Sequence, residues 1–251
     1  MLSIVVPAAW GHEPFCDFLS NVVELPVIGE VILINNNVEK TPDHSVLSHP
    51  KVNVLNQEQN IYVNPAWNLG VSLAKYENIC ILSDDVIVDL KAFIVANKFM
   101  CSDVSENMGV LMIGIKPDVY KLHNEKIESL TTQNLIIDGN IKIVSWRDNP
   151  DTFGSGSLFF IHKRKWIDIP NEFKVYWGDT WQYEIQLGLR KENYYINNCF
   201  YYSPWSAAVK IGVGAGYQQT DDYKKYENRE FLEEMKKIKF KEIESGEQHG
   251  R

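Results

Sequence analysis

The chain has 251 residues, 45% of them hydrophobic, which suffices to build the core of one large domain. Its formal net charge of -8 argues against a general electrostatic grip on nucleic acid or anionic lipid and leaves small substrates or a local basic patch. Four widely spaced cysteines, Cys16, Cys80, Cys101 and Cys199, provide neither a disulfide framework nor a zinc site.

Leu2 to Val6 reads as a buried strand stopping at Pro7. Phe15, Phe18, Leu19, Val22 and Val23 then fall on one helical stripe, with Pro14 in the first turn. Glu30 to Ile34 is a second strand ending in Asn35, Asn36 and Asn37, and Val52 to Leu55 a third. Asn64 is placed to cap a helix with Pro65 at its first position and with Ala66, Leu69, Gly70, Leu73 and Ala74 on its apolar face. Ile79 to Leu82 is wholly apolar, the pattern of a central strand buried on both sides. Such β-α alternation predicts an α/β fold with a mostly parallel, doubly wound sheet flanked by helices.

After about Gly109 the pattern changes to a smaller mixed β region. Val110 to Ile115 reads as a strand, and Asn134 to Ile137 with Ile141 to Trp146 as a hairpin around Asp138 and Gly139. Asp179 to Leu189 reads as a helix, with Asp179 as N-cap and Gln182 completing a capping box. Ile211 to Gly216 is glycine-rich but precedes no amphipathic helix, and reads as a flexible loop. Beyond Asp221 the chain is highly charged, yet Phe231, Leu232, Met235 and Ile238 share one face, so a C-terminal helix should dock on the domain. No apolar run reaches the ~18 residues of a membrane span and Met1 to Pro7 carries no basic leader, so a cytoplasmic protein is expected.

Chemistry concentrates where the apolar strand ends in Ser83, Asp84 and Asp85, because ligands of open α/β sheets collect at the carboxyl ends of strands. Two like charges about 4 Å apart repel by roughly 4 kcal/mol at an effective dielectric of about 20, so a divalent metal, a cationic side chain or water must relieve them. Hard oxygen ligands favour magnesium or manganese. Neighbouring strand residues face opposite ways, so the two carboxylates should do different jobs. The plainer alternative is a strand-end turn with a solvated acid.

Together these features resemble the GT-A class of nucleotide-sugar glycosyltransferases, in particular the inverting enzymes of family 2, over roughly residues 2 to 200. Ser3-Ile-Val-Val-Pro7 is similar to that family's first strand, whose end and following loop, here Pro7 and Ala8, hold the nucleotide base through backbone groups. Val31-Ile-Leu-Ile-Asn35-Asn36-Asn37 is similar to the second strand with its Asp-Asn-x-Ser ending, Asn35 standing at the acid and Val38 at the serine. An amide can still read a pyrimidine edge, offering both a donor and an acceptor.

Asn60-Ile-Tyr-Val-Asn-Pro-Ala-Trp-Asn68-Leu-Gly70 matches the spacing of the pattern Asn-x-Gly-x-x-x-Ala-Arg-Asn-x-Gly, with Tyr62 at the usual Gly and Trp67 at the usual Arg. Ser83-Asp84-Asp85 resembles a variant Asp-x-Asp metal motif. The resemblance implies Asp85 as ligand of Mn2+ or Mg2+, and Asp84, Asn35, Asn36 and Asn68 as donor-side residues. Gly154-Ser-Gly156-Ser-Leu-Phe-Phe-Ile161 is similar to the strand before the acceptor helix, and Tyr176-Trp177-Gly178-Asp179 to the segment carrying the catalytic base. Asp179 would then be that base, with Trp177, Gly178 and Trp181 forming an acceptor wall. Residues 1–108 would be a nucleotide-binding half, 109–220 an acceptor half, and 221–251 a charged helix and tail.

The expectation is a metal-dependent inverting transferase. It moves a sugar from a nucleoside diphosphate sugar, UDP-linked by family habit, to a hydroxyl acceptor on a glycan or other biomolecule. Its rivals are a sugar-nucleotide or glycan-binding protein that lost catalysis and a nucleotidyltransferase, although Ala8-Ala-Trp-Gly-His12 lacks the cation of a nucleotidyltransferase loop. A transferase acting on DNA bases would need clustered Lys and Arg, present only weakly around Lys163-Arg-Lys165 and in the C-terminal helix.

Overall fold

A computed structural model of the chain describes residues 1–115, 141–148, 153–203 and 220–246. The strands foreseen in the first half form as Leu2–Ala8 (β1), Ile28–Asn35 (β2), Val52–Asn56 (β3) and Asn78–Leu82 (β4). They alternate with helices Phe15–Val23 (α1), Val63–Leu73 (α2) and, after the short strand Ile87–Val88 (β5), Lys91–Met100 (α3). The second half contributes Met108–Ile115 (β6), Lys142–Ser145 (β7), Phe153–His162 (β8), Gly178–Gly188 (α4), Glu192–Asn197 (β9) and Tyr201–Tyr202 (β10). The helices Asp221–Tyr226 (α5) and Arg229–Ser245 (α6) complete the described chain.

Eight strands make one sheet in the order β3-β2-β1-β4-β8-β6-β9-β7, and β5 pairs with β10 in a separate two-stranded ribbon. The first four strands are mutually parallel, as β-α crossovers require. Then β8 runs antiparallel between β4 and β6, so the change in the sequence pattern near Gly109 is a change of sheet topology. The hairpin expected at Asn134 to Trp146 has its first arm outside the described residues. Its second arm, β7, pairs antiparallel with β9. The glycine-rich stretch Ile211 to Gly216 also lies outside them.

Side-chain alternation splits the core into two layers, one on each face of the sheet. Ile4 and Val6 of β1 pack with Phe15, Phe18 and Leu19 of α1 and with Ala92 and Phe93 of α3. Val5, pointing the other way, joins Ala66 and Trp67 of α2, Trp181 and Ile185 of α4, and Leu232 of α6. The apolar face of α6 differs from expectation at one place: Ile238 is exposed, and Phe240 packs against Gly188 instead. Among the described residues no helix is long and apolar enough to cross a membrane. All four cysteines are free.

Candidate active site

The end of β4 is fastened to the loop after β1 by Asp84. Its Oδ2 accepts the backbone N–H groups of Ala9 at 2.7 Å and Trp10 at 2.6 Å, and Trp10 bends back through the left-handed region with φ 60°. Burial pushes the Asp84 carboxyl above the ordinary carboxylate range, while the amides of Ala9, Trp10, Gly11 and Asp84 itself pull it down. Asp84 therefore organises the loop that follows Pro7 and Ala8, a task distinct from the donor contact expected of it.

Asp85 is the unneutralised member of the pair. Only 8% exposed, it has its pKa raised to about 6, first by burial and then by the charge of Asp84, with only its own backbone N–H opposing. No basic side chain among the described residues offsets that charge, so the tip suits a cation. Nor do three His, Cys, Asp or Glu side chains gather there or elsewhere among the described residues to make an all-protein cage. One or two carboxylates fit a magnesium- or manganese-type site whose other ligands are phosphate oxygens and water.

Asn35 and Asn36 close the end of β2 in different ways. Asn35 is fully buried and its amide is saturated. Oδ1 accepts from Trp10 Nε1 at 2.8 Å and Asn37 N at 3.2 Å, and Nδ2 donates to Thr41 Oγ1 at 2.7 Å and Asn56 Oδ1 at 2.8 Å. With both acceptor and both donor positions taken, this amide braces the strand ends instead of offering a free edge to a base. Asn36 accepts from Ile61 N and donates to Tyr62 O, which leaves one N–H and one lone pair available.

The Asn60-to-Gly70 stretch leads into and forms most of α2, and several of its side chains make contacts that the spacing alone does not show. The helix begins at Val63, so Asn64 lies inside its first turn and does not cap it; its Nδ2 donates to Tyr176 O at 2.8 Å. Tyr62, at the usual glycine, keeps a glycine-type backbone with φ 67° and ψ -172°. Trp67, at the usual arginine, is 4% exposed and meets Phe159 edge-on with ring centroids 5.5 Å apart. Asn68 ties α2 to the segment after β8: it donates to Ile169 O and accepts from Ile169 N and Trp166 Nε1.

Asp179 sits in the first turn of α4, above β8. Its carboxylate covers Gly156 so closely that a Cβ there would collide with it. The next residue, Ser157, accepts through its carbonyl from Ser83 N at 2.9 Å, so the glycine under Asp179 belongs to the same strand pairing that holds the residue before Asp84. Burial raises the Asp179 pKa, opposed by its own and Thr180's N–H and by the Thr180 hydroxyl.

The expected capping box does not form. The N-cap position is Trp177, in the left-handed conformation with φ 67° and ψ -4°, and no side chain caps the helix. Gln182 turns away to Ile167, donating to its carbonyl at 2.5 Å and accepting from its N–H at 3.4 Å. Trp181 does not line an acceptor wall. It is 1% exposed and packs on Phe173, because the fourth residue of this helix faces the core. Gly178 is buried too, with Asn64 Oδ1 in the space a Cβ would need. Trp177 is half-buried and packs against the edge of the same core layer.

Trp10, Asn64 and Glu227 were not singled out from the sequence as site residues. Trp10 carried a signal, an aromatic residue directly after the first strand; Asn64 and Glu227 act on partners far along the chain and carried none.

No family model matches the chain, and no curated protein matches it either. Solved structures share its fold. The GalNAc-T7 structure with UDP, GalNAc and Mn2+ superposes with a TM-score of 0.54 at 14% identity, covering 90% of this chain and 49% of that one. S. aureus TarS 1-349 gives 0.52 at 13% identity, over 88% of this chain and 66% of TarS. The mannosyltransferase PcManGT from Pyrobaculum calidifontis, in complex with GDP-Man and Mn2+, gives 0.50 at 15% identity, over 76% of this chain and 53% of the enzyme. The chain thus spans between about half and two-thirds of the length of these three proteins. Sheet order, the acidic end of β4 and these superpositions agree that the chain has the GT-A fold, the fold of nucleotide-sugar glycosyltransferases.

Proposed function

We propose that the protein is a metal-dependent inverting glycosyltransferase that moves a sugar from a nucleoside diphosphate sugar, UDP-linked, to a hydroxyl acceptor. The observation that carries this reading is Asp85, a buried carboxylate with no basic partner among the described residues, at the end of a central strand in a GT-A fold. Neighbours of that fold, GalNAc-T7 and PcManGT, were solved with Mn2+ and a nucleotide or nucleotide sugar, which supports a metal and a diphosphate donor here.

Asp85 would hold the ion, with donor phosphates and water completing its shell. When bound, Mn2+ or Mg2+ supplies charge neutralisation for the leaving diphosphate. The loop at Pro7 and Ala8, fixed by Asp84, would present backbone groups to the nucleotide, and the remaining donor and lone pair of Asn36 would serve the same side. Asp179 would accept the acceptor hydroxyl's proton at its carboxylate as that oxygen attacks the anomeric carbon from the face opposite the diphosphate. Its pKa, raised by burial, makes this carboxylate a stronger base than a solvated one, which suits the proton-accepting role. Trp177 would border the acceptor.

The direct test is a thermal-shift screen of nucleoside diphosphate sugars with and without manganese, followed by donor-turnover assays. A shift that needs both manganese and a sugar nucleotide, together with released nucleoside diphosphate, is expected. Binding with no turnover, with or without acceptor extracts, would leave a sugar-nucleotide-binding protein in its place.

A further inference from the structure

Glu227 lies between α5 and α6, and its carboxylate reaches back across 52 residues to Val175. Only 9% exposed, it accepts three consecutive backbone N–H groups: Lys174 at 2.7 Å and Val175 at 2.8 Å on Oε1, and Tyr176 at 3.0 Å on Oε2. The same segment is held from its other side by α2. Val63 N and Asn64 N each donate to Lys174 O at 3.0 Å, and Asn64 Nδ2 donates to Tyr176 O. Ring contacts close the joint, with Tyr176 against Tyr223 at 5.9 Å and Phe173 against Phe231 at 5.4 Å between centroids.

The residues that follow are left-handed Trp177, Gly178 wedged against Asn64, and Asp179. A bulky residue holds a left-handed backbone only where its surroundings over-determine it, and the fixed segment 174–176 is that surrounding on the N-terminal side. We infer that Glu227 is a positioning residue for Asp179. By anchoring three amides it sets the turn at Trp177 and so the point over Gly156 where the Asp179 carboxylate lies. The inference rests on the base role proposed above for Asp179. It also makes the C-terminal helices part of the acceptor side and not merely a charged appendage.

A carboxylate offers acceptors only, which matches three N–H donors; a glutamine in its place would turn an NH2 toward at least one of them. Glu227→Gln is therefore expected to lower kcat about tenfold or more, as displaced reacting groups do, while the manganese-dependent thermal shift with nucleotide sugar and the donor KM stay at wild-type values. Glu184→Gln is the control. Glu184 also joins α4 to α6, through Arg229 at 2.8 Å and Lys236 at 2.5 Å, but does not touch 174–176. It should lose stability and keep kcat. A kcat for Glu227→Gln within about twofold of wild type, or an equal loss in Glu184→Gln, overturns the inference.

If Glu227→Gln does not fold, Glu227→Asp keeps the charge and shortens the arm, and a wild-type kcat there overturns it as well. Should the wild-type protein transfer no sugar, the base reading fails by itself. Amide hydrogen exchange then decides: faster exchange confined to residues 174–180 in the folded variant supports the positioning role, and unchanged exchange in that segment refutes it.

Discussion

Trp10 is bonded twice to the strand ends it crosses: its backbone N–H donates to Asp84 Oδ2 at 2.6 Å and its indole N–H to Asn35 Oδ1 at 2.8 Å. One residue thus links the ends of β4 and β2 across β1, the strand that lies between them in the sheet. Asp84→Ala removes the acceptor of two amides, and each unpaired buried group costs about 1–3 kcal/mol, partly offset by losing a desolvated charge. The expected outcome is a loss of about 2 kcal/mol in urea unfolding with nucleotide binding weakened. A variant as stable as wild type that binds nucleotide normally would show that the loop does not depend on this carboxylate.

Asp85→Asn should behave in the opposite sense. The folded-state pKa of about 6 lies above the ordinary value of 3.8, so the folded protein holds the proton more tightly than the unfolded chain. The stability tied to that proton is present at low pH and is lost as pH rises through about 6. That is about 3 kcal/mol at about 1.4 kcal/mol per pKa unit. In chelator at pH 7.5 the asparagine variant should therefore unfold at higher temperature than wild type, yet lose the manganese-dependent shift with nucleotide sugar and lose transfer. A variant that is less stable without metal, or that keeps the metal response, would remove Asp85 from the site.

The sheet was legible because its signals are local. A strand such as Ile79 to Leu82 declares itself by four apolar neighbours, and the acids at its end are adjacent in sequence. What was not legible depends on pairing across the chain. Asn64 looked like a cap because nothing nearby shows that Tyr176, 112 residues on, will need its amide. Gln182 has the capping-box spacing, but Ile167 supplies both a donor and an acceptor and wins it. Trp181 and Trp177 are equivalent as aromatics beside an acid, and only the phase of α4 on the sheet sends one into the core. Asn35 reads from the sequence as an amide free to meet a ligand, and its saturation is visible only once Trp10, Thr41 and Asn56 converge on it.

Tyr62 offers a test of backbone strain. Its φ of 67° with ψ of -172° falls in a region occupied almost solely by glycine, where other residues pay about 1–3 kcal/mol. Glycine returns roughly 1 kcal/mol of that through the greater freedom of the unfolded chain. Tyr62→Gly should raise stability by up to about 2 kcal/mol, and Tyr62→Val should lower it. A lower melting temperature for the glycine variant would mean that contacts of the phenol ring outweigh the strain.

At the opposite end of the sheet His162 gives a pH-dependent signature that owes nothing to the site. It ends β8, is 2% exposed, and neither ring nitrogen has a hydrogen-bond partner among the described residues. Burial, then the charges of Lys165 and Arg164, lower its pKa from 6.5 to about 4, with Glu77 and Glu106 opposing. The unfolded chain therefore binds this proton more readily, so the stabilising effect is present above pH 6.5 and is lost as pH falls through about 4. The change is about 3 kcal/mol at about 1.4 kcal/mol per pKa unit. His162→Leu, which removes both the titration and two buried unpaired nitrogens, should be at least as stable as wild type at pH 7 and should gain on it steadily between pH 6.5 and 4. Taking the difference between the two proteins cancels the opposing titration of Asp85. Parallel stability curves over that interval would mean that the imidazole finds a partner or solvent in the folded protein.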